Sequence, residues 1–161
     1  MDAIQLLTDQ HRWLEERFDA AVAATDPRER AALTAEAGDH LAVHVAAEEE
    51  VFYPAVRARR TEDILLESLE EHLSLKRLLA DLLDLAADDP TYEAKLKVLR
   101  EQTVHHHGEE EDHLFPQVRR CIDAGELETL GGAMLACQKR LLREGQPRES
   151  VADQTERAAT L

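Results

Sequence analysis

Aromatic residues make up only 4% of this chain, and its 161 residues include just two cysteines, six glycines and five prolines. Each scarcity excludes something. Cys121 and Cys137 stand 16 positions apart with no Cys-x-x-Cys spacing, so a disulfide framework is not expected and both read as reduced, partly buried thiols. No apolar run approaches the ~20 residues needed to cross a bilayer. The opening MDAIQLLTDQHRW has neither a basic n-region nor a continuous apolar h-region, which makes the cytoplasm the expected location. Positive charge is in short supply too. Nineteen Lys and Arg against 34 Asp and Glu leave a formal charge of -15, with no basic stripe, so neither nucleic acid nor a bare anionic membrane is an expected partner.

What remains is rich in Ala, Leu and charged residues, a composition suited to helices packed on helices. A chain of this length can bury roughly two-thirds of its unfolded surface in one core. Apolar residues recur at helical spacing in four segments. The first runs from Asp2 through Leu6, Leu7, His11, Leu14, Phe18 and Val22 to a break at Thr25-Asp26-Pro27. A second extends from Pro27 to about Arg59, carrying Leu33, Ala37, Leu41, His44, Glu48 and Val51, with a kink expected at Pro54. The third starts at Thr61 and carries Ile64, Leu65, Leu69, His72, Leu75, Leu79 and Leu82; the fourth follows Asp88-Asp89-Pro90-Thr91 with Leu96, Leu99, His106, Glu110 and Leu114. Short connections imply antiparallel neighbours. The expected fold is therefore all-α, an antiparallel up-down four-helix bundle over residues 1–120. A short amphipathic C-terminal helix follows over 121–145 despite Gly131 and Gly132, and a loose tail over 146–161.

Two stretches say the same thing. HVAAEEEVFYP at residues 44–54 and HHHGEEEDHLFP at 105–116 each place a His, a run of acids and a closing Pro in the same order. His106, Glu110 and Pro116 each follow His44, Glu48 and Pro54 by 62 positions, and His72 follows His11 by 61. Each half is a helix pair with a lone His on its first helix and His-x3-Glu on its second, an internal repeat. Residues four apart on a helix share one face, ~5–6 Å apart. At ~1.5 Å per residue, His11 lies roughly 20 Å before the first loop and His44 roughly 24 Å after it, while His72 and His106 both lie about 22 Å from the third. The six side chains fall in one layer of the bundle.

Four imidazoles and two carboxylates facing each other across a two-fold suit two metal ions, each taking two His and sharing both Glu. Nitrogen and oxygen donors without thiolate favour iron or manganese over a structural zinc, with manganese or zinc as substitutes. If both ions are octahedral, coordination positions stay open for a bridge and for exogenous ligands. Symmetry selects Glu110 over Glu109, because the residue equivalent to Glu109 is Ala47. His40 and His113 share the ligand stripe about one turn from His44 and Glu110, each as a fifth ligand, a hydrogen-bond partner of a ligand or a merely packed side chain. His105 and His107 point about 100° to either side of His106 and read as surface or interhelix residues. Glu49, Glu50, Glu111 and Asp112 read as solvated, Glu15 as one half of a surface ion pair, and Tyr53 and Tyr92 as core.

These motifs together resemble the hemerythrin HHE cation-binding family over residues 1 to about 120. The resemblance implies an antiparallel four-helix bundle with a non-haem di-iron centre, oxo- or hydroxo-bridged, held by His11, His44, Glu48, His72, His106 and Glu110. Oxygen-carrying hemerythrins also have a His-x3-His pair on the third helix; here Ser68 and Lys76 flank His72 at those distances, which argues against reversible oxygen transport. The bacterial branch implies peroxide, dioxygen or nitric oxide as ligand. Decomposition of peroxide by a catalase- or peroxidase-like oxidoreductase is the favoured activity, and a sensor or carrier of oxygen, nitric oxide or iron is the alternative. A metal-free interaction bundle is a third class, disfavoured because burying four His and two Glu without ions is costly. A monomer or weak homodimer is expected.

Overall fold

In the computed structural model, which describes residues 1–161, three of the long helices begin where a polar side chain satisfies a free N–H group. Helix α1, Ala3–Ala23, is capped by Asp2, which accepts from the Gln5 N–H at 2.8 Å. Helix α2, Pro27–Ala47, is capped by Asp26 and starts on Pro27, whose missing N–H costs nothing at that position. Thr61 precedes α4, Glu62–Leu83; its buried hydroxyl donates back to the Val56 carbonyl at 2.8 Å and closes the turn between helices. Helix α5, Tyr92–Glu109, follows the Asp89-Pro90-Thr91 turn. Helix α7, Ala124–Glu144, opens with a reciprocal capping box between Asp123 and Glu126.

At Pro54 and Pro116 the helices do not simply kink. Helix α2 passes through a π-helical turn, Glu48–Phe52, into a short α3, Tyr53–Val56, and α5 passes through a matching turn, Glu110–Leu114, into α6, Phe115–Cys121. Tyr53 and Phe115 donate five residues back, to the carbonyls of Glu48 and Glu110. The proline that follows each lacks the N–H that would bind four residues back, so the wider turn absorbs one extra residue instead of breaking. Both turns begin on the Glu of a His-x3-Glu motif.

Helices α1, α2, α4 and α5 pack side by side, with α1 touching both α2 and α5, and α4 touching the same two. Their apolar stripes build two separate cores. One contains Leu7, Ala47, Phe52, Tyr53, Leu69, Leu114, Phe115 and Val118; the other contains Leu14, Phe18, Leu41, Leu75, Leu79, Leu96 and Leu99. Between them each helix carries a buried histidine: His11 on α1, His44 on α2, His72 on α4 and His106 on α5. Helix α7 lies against α1 and α2 and closes the first core with Leu127, Met134 and Cys137, while Cys121 is exposed. The final segment is not a loose tail. Helix α8, Pro147–Ser150, and a 3-10 turn, Val151–Gln154, pack on α2 and α4. Val151 is buried in the second core, and Arg148 pairs with Asp39 at 2.6 Å. One apolar residue among charged neighbours carries no periodic signal, which is why this docking is invisible in the sequence. No helix is long and apolar enough to cross a membrane.

Candidate metal centre

The polar layer between the two cores is made of His11, His44, Glu48, His72, His106 and Glu110, each no more than 1% exposed. Their donor atoms converge. His11 Nε2 lies 3.2 Å from Glu110 Oε2, His44 Nε2 3.3 Å from Glu48 Oε1, and His72 Nε2 3.2 Å from Glu48 Oε2. His106 Nε2 lies 3.8 Å from Glu110 Oε2 and 2.9 Å from His72 Nε2. Glu48 thus turns one oxygen to an imidazole of the first half and the other to an imidazole of the second.

All four rings are aimed by what holds their other nitrogen. Nδ1 of His11 donates to Glu111 at 2.8 Å, that of His44 to Gln10 at 2.9 Å, that of His72 to Glu49 at 3.0 Å, and that of His106 to Glu71 at 2.6 Å. A hydrogen-bonded Nδ1–H fixes ring orientation and leaves Nε2 for the interior. The partners follow the repeat: Glu49 and Glu111 are the residues just after the two motif glutamates, and Gln10 and Glu71 those just before the two lone histidines. Glu49 and Glu111 are therefore not solvated. Lys76 braces Glu49 through two contacts of 2.8 Å, and Arg12 pairs with Glu111.

These interactions set the charge of the layer. Burial disfavours ionised Glu48, but the His44 and His72 imidazoles outweigh it and hold the carboxyl well below the usual carboxylate range. Burial likewise opposes protonation of His11 and His72, yet Glu110 and Glu111 around the first and Glu48 and Glu49 around the second push both up to about 9. Burial first, then the charges of Glu110 and Glu48, raise the Tyr53 phenol and keep its proton on.

The chain itself leaves this layer incomplete. His11 Nε2, His44 Nε2, both Glu48 oxygens and Glu110 Oε2 are buried and lack any hydrogen-bond partner, because close approach is not matched by aligned geometry. Orphaned buried polar atoms cost ~1–3 kcal/mol each, and five in one layer fit a cation that would satisfy them together. His11, His44, Glu48 and Glu110 present donor atoms within 4.8 Å of one another, as do Glu48, His72 and His106.

The structure settles where three further histidines lie. His40 is exposed, its ring 3.9 Å from that of Trp13, and His113 is 60% exposed beside Glu109; neither reaches the layer. One turn along the helix kept them on the stripe only nominally, since the π turn after Glu110 carries His113 outward. His107, read as a surface or interhelix residue, is wholly buried between helices and stacks on His11 with ring centroids 3.8 Å apart. Its donor atoms join those of His11 and His44. The side of α5 facing α1 is an interhelix seam, so a residue 100° from His106 is still inside, whereas His105 on the other side is 67% exposed. Tyr53 is core, as its Pro neighbour suggests, but its hydroxyl also donates to Glu110 Oε1 at 2.8 Å and lies 3.1 Å from His72 Nε2.

Residues 2–118 match the family model of the hemerythrin HHE cation-binding domain. The chain belongs to that family. The solved structure of a hemerythrin HHE cation-binding domain-containing protein from Mycobacterium kansasii superposes with a TM-score of 0.76 at 25% identity, covering 93% of this chain and 89% of that one. A DNA nickase from a Nostoc species is 31% identical over 88 residues, 55% of this chain and 25% of the relative, so the match spans about a quarter of that protein's length. The match to the family model ends at residue 118, before α7 and α8, which pack on the helices it covers.

Proposed function

We propose that this HHE protein is a non-haem di-iron protein, on an antiparallel up-down four-helix scaffold, that binds and redox-activates a small ligand, with decomposition of peroxide as its reaction. The observation that carries the reading is the inward set of Nε2 and carboxylate atoms left unpaired while every Nδ1 is anchored outward. His11 and His44 would hold one ion, His72 and His106 the other, and Glu48 and Glu110 would span both. When bound, such ions supply Lewis acidity and electron exchange. The donor set, nitrogen and oxygen without thiolate, suits iron or manganese.

The chain's own part is positioning and proton handling. In disproportionation one peroxide is reduced to two waters with two electrons and two protons, and the other returns both as it becomes dioxygen. The protein need only keep protons at hand between the two halves. Tyr53 Oη holds one beside Glu110 Oε1. Leu and Phe side chains of the two cores wall the layer from water. The nicking activity in the Nostoc relative's name is not carried over, since an excess of 15 negative charges repels a phosphate backbone.

Protein from an iron-supplied host should contain about two irons per chain, absorb in the visible, and evolve oxygen from peroxide faster than the same free iron. Rates equal to those of free iron would remove the peroxide reading. A second reading, a sensor or carrier without turnover, is favoured by one observation. Gln10, which holds His44 Nδ1, exchanges two hydrogen bonds of 2.9 and 3.0 Å with Gln138 of α7, linking the layer to that helix. Reversible spectral change on oxygenation without turnover would select it.

A further inference from the structure

Measured against the repeat, the centre is not symmetric. Position 107 corresponds to Val45 and position 53 to Phe115 at the same offset of 62. Tyr53 stacks on His72 at 5.3 Å and Phe115 on His11 at 5.8 Å, so the aromatic pair occupies equivalent places with a hydroxyl on one side only. The imidazole is on the other side. His107 lies within reach of His11 and His44, with ring centroids at 3.8 and 5.5 Å, and in the other half an apolar Val stands in its place.

A buried histidine with a structural role normally shows it by hydrogen bonding. His107 has 0% exposure and no partner on either ring nitrogen; its nearest acidic neighbour, Glu15, is 3.7 Å from Nδ1. Thr103, one turn earlier and also wholly buried, has an unpartnered hydroxyl and does not satisfy it. An apolar residue would fill the space without that penalty, as Val45 does. Besides stacking on His11, the ring places a nitrogen within 4.8 Å of the donor atoms of His11 and His44.

We infer that His107 is a third imidazole donor to the ion held by His11 and His44, with Nδ1 turned towards Glu15 and Nε2 towards the ion. The two ion positions are then chemically unequal, one with three imidazoles and the other with two imidazoles beside the Tyr53 phenol. This assignment rests on the proposed metal centre.

The test is iron loading of the stripped full chain, followed by chelator competition and by Mössbauer spectra of iron-57-loaded protein. Wild type should take up two irons that give two distinct doublets of equal area. His107→Val should lose affinity at one position by at least ~10-fold, so that mild chelation leaves one iron and one unchanged doublet. The metal-free variant should fold at least as stably as wild type, since an orphaned polar ring is replaced by an apolar side chain; His107→Gln is the second variant if it does not. Unchanged affinity and spectrum in both variants, or equal loss at both positions, overturns the assignment. Failure of wild type itself to bind iron would instead overturn the metal centre.

Discussion

Among single residues, the atoms that aim the imidazoles carry as much of the site as the imidazoles. Glu49 and Glu71 hold His72 and His106 from outside the layer at 3.0 and 2.6 Å. Replacing either with Ala frees a ring to rotate and removes an anion that strengthens its donor nitrogen. Glu49→Ala and Glu71→Ala should each weaken iron affinity ~10–100-fold in chelator competition. Glu50→Ala should not, because Glu50 pairs with exposed Arg140 at 2.7 Å and holds none of the four imidazoles. The motif glutamates and histidines were legible from spacing alone, but these partners were not. Glu49 and Glu111 sit in acidic runs whose members look interchangeable until neighbouring helices pick one. His107 stayed open between surface and interhelix for the same reason: its helix face becomes interior only when α1 lies against it.

Within the elements, small residues and wide turns decide which surfaces can meet. Gly131 of α7 lies so close to the N-terminus that an added Cβ would stand 2.6 Å from the Met1 carbonyl oxygen, whereas one at Gly132 would meet nothing within 4 Å. Gly131→Ala should therefore destabilise the protein by about 1–3 kcal/mol, through displacement of backbone that cannot give way. Gly132→Ala should stabilise it by up to about 1 kcal/mol. Urea midpoints of the two variants check both signs. The glycines look alike in sequence, each a weak point in a helix. The π turns were foreseen only as a kink at Pro54; proline announces the break in hydrogen bonding but not whether the chain bends or widens.

Taken whole, the molecule places an unsatisfied polar layer between two apolar cores, and its stability should depend on what fills that layer. Iron at 1,000 times its dissociation constant should stabilise the fold by about 4 kcal/mol, read as a higher unfolding midpoint than that of chelated protein. The metal-free chain should respond to pH in a set direction. His11 and His72 are raised from 6.5 to about 9, so their contribution is full below about pH 6.5 and lost as pH rises through 9. Glu48, held well below 4.5, contributes above that value and loses its contribution as pH falls through its depressed one. Stripped protein should accordingly unfold at lower urea at about pH 9.5 than at about pH 6.5. A midpoint unchanged over that window would contradict the charge state assigned to the layer.

The sequence by itself determined the helices, the duplication and the common depth of six side chains, because capping, apolar period and rise per residue are local properties that repeat faithfully along a chain. It also carried the family resemblance, since the motifs recur at a fixed offset. Only the tertiary structure decided which flank of α5 is interior, which acid of each run reaches an imidazole, and that the segment after Gln146 docks through Val151 and Arg148. Those outcomes depend on which helix lies alongside, and the identity of a spatial neighbour is not written in any one segment.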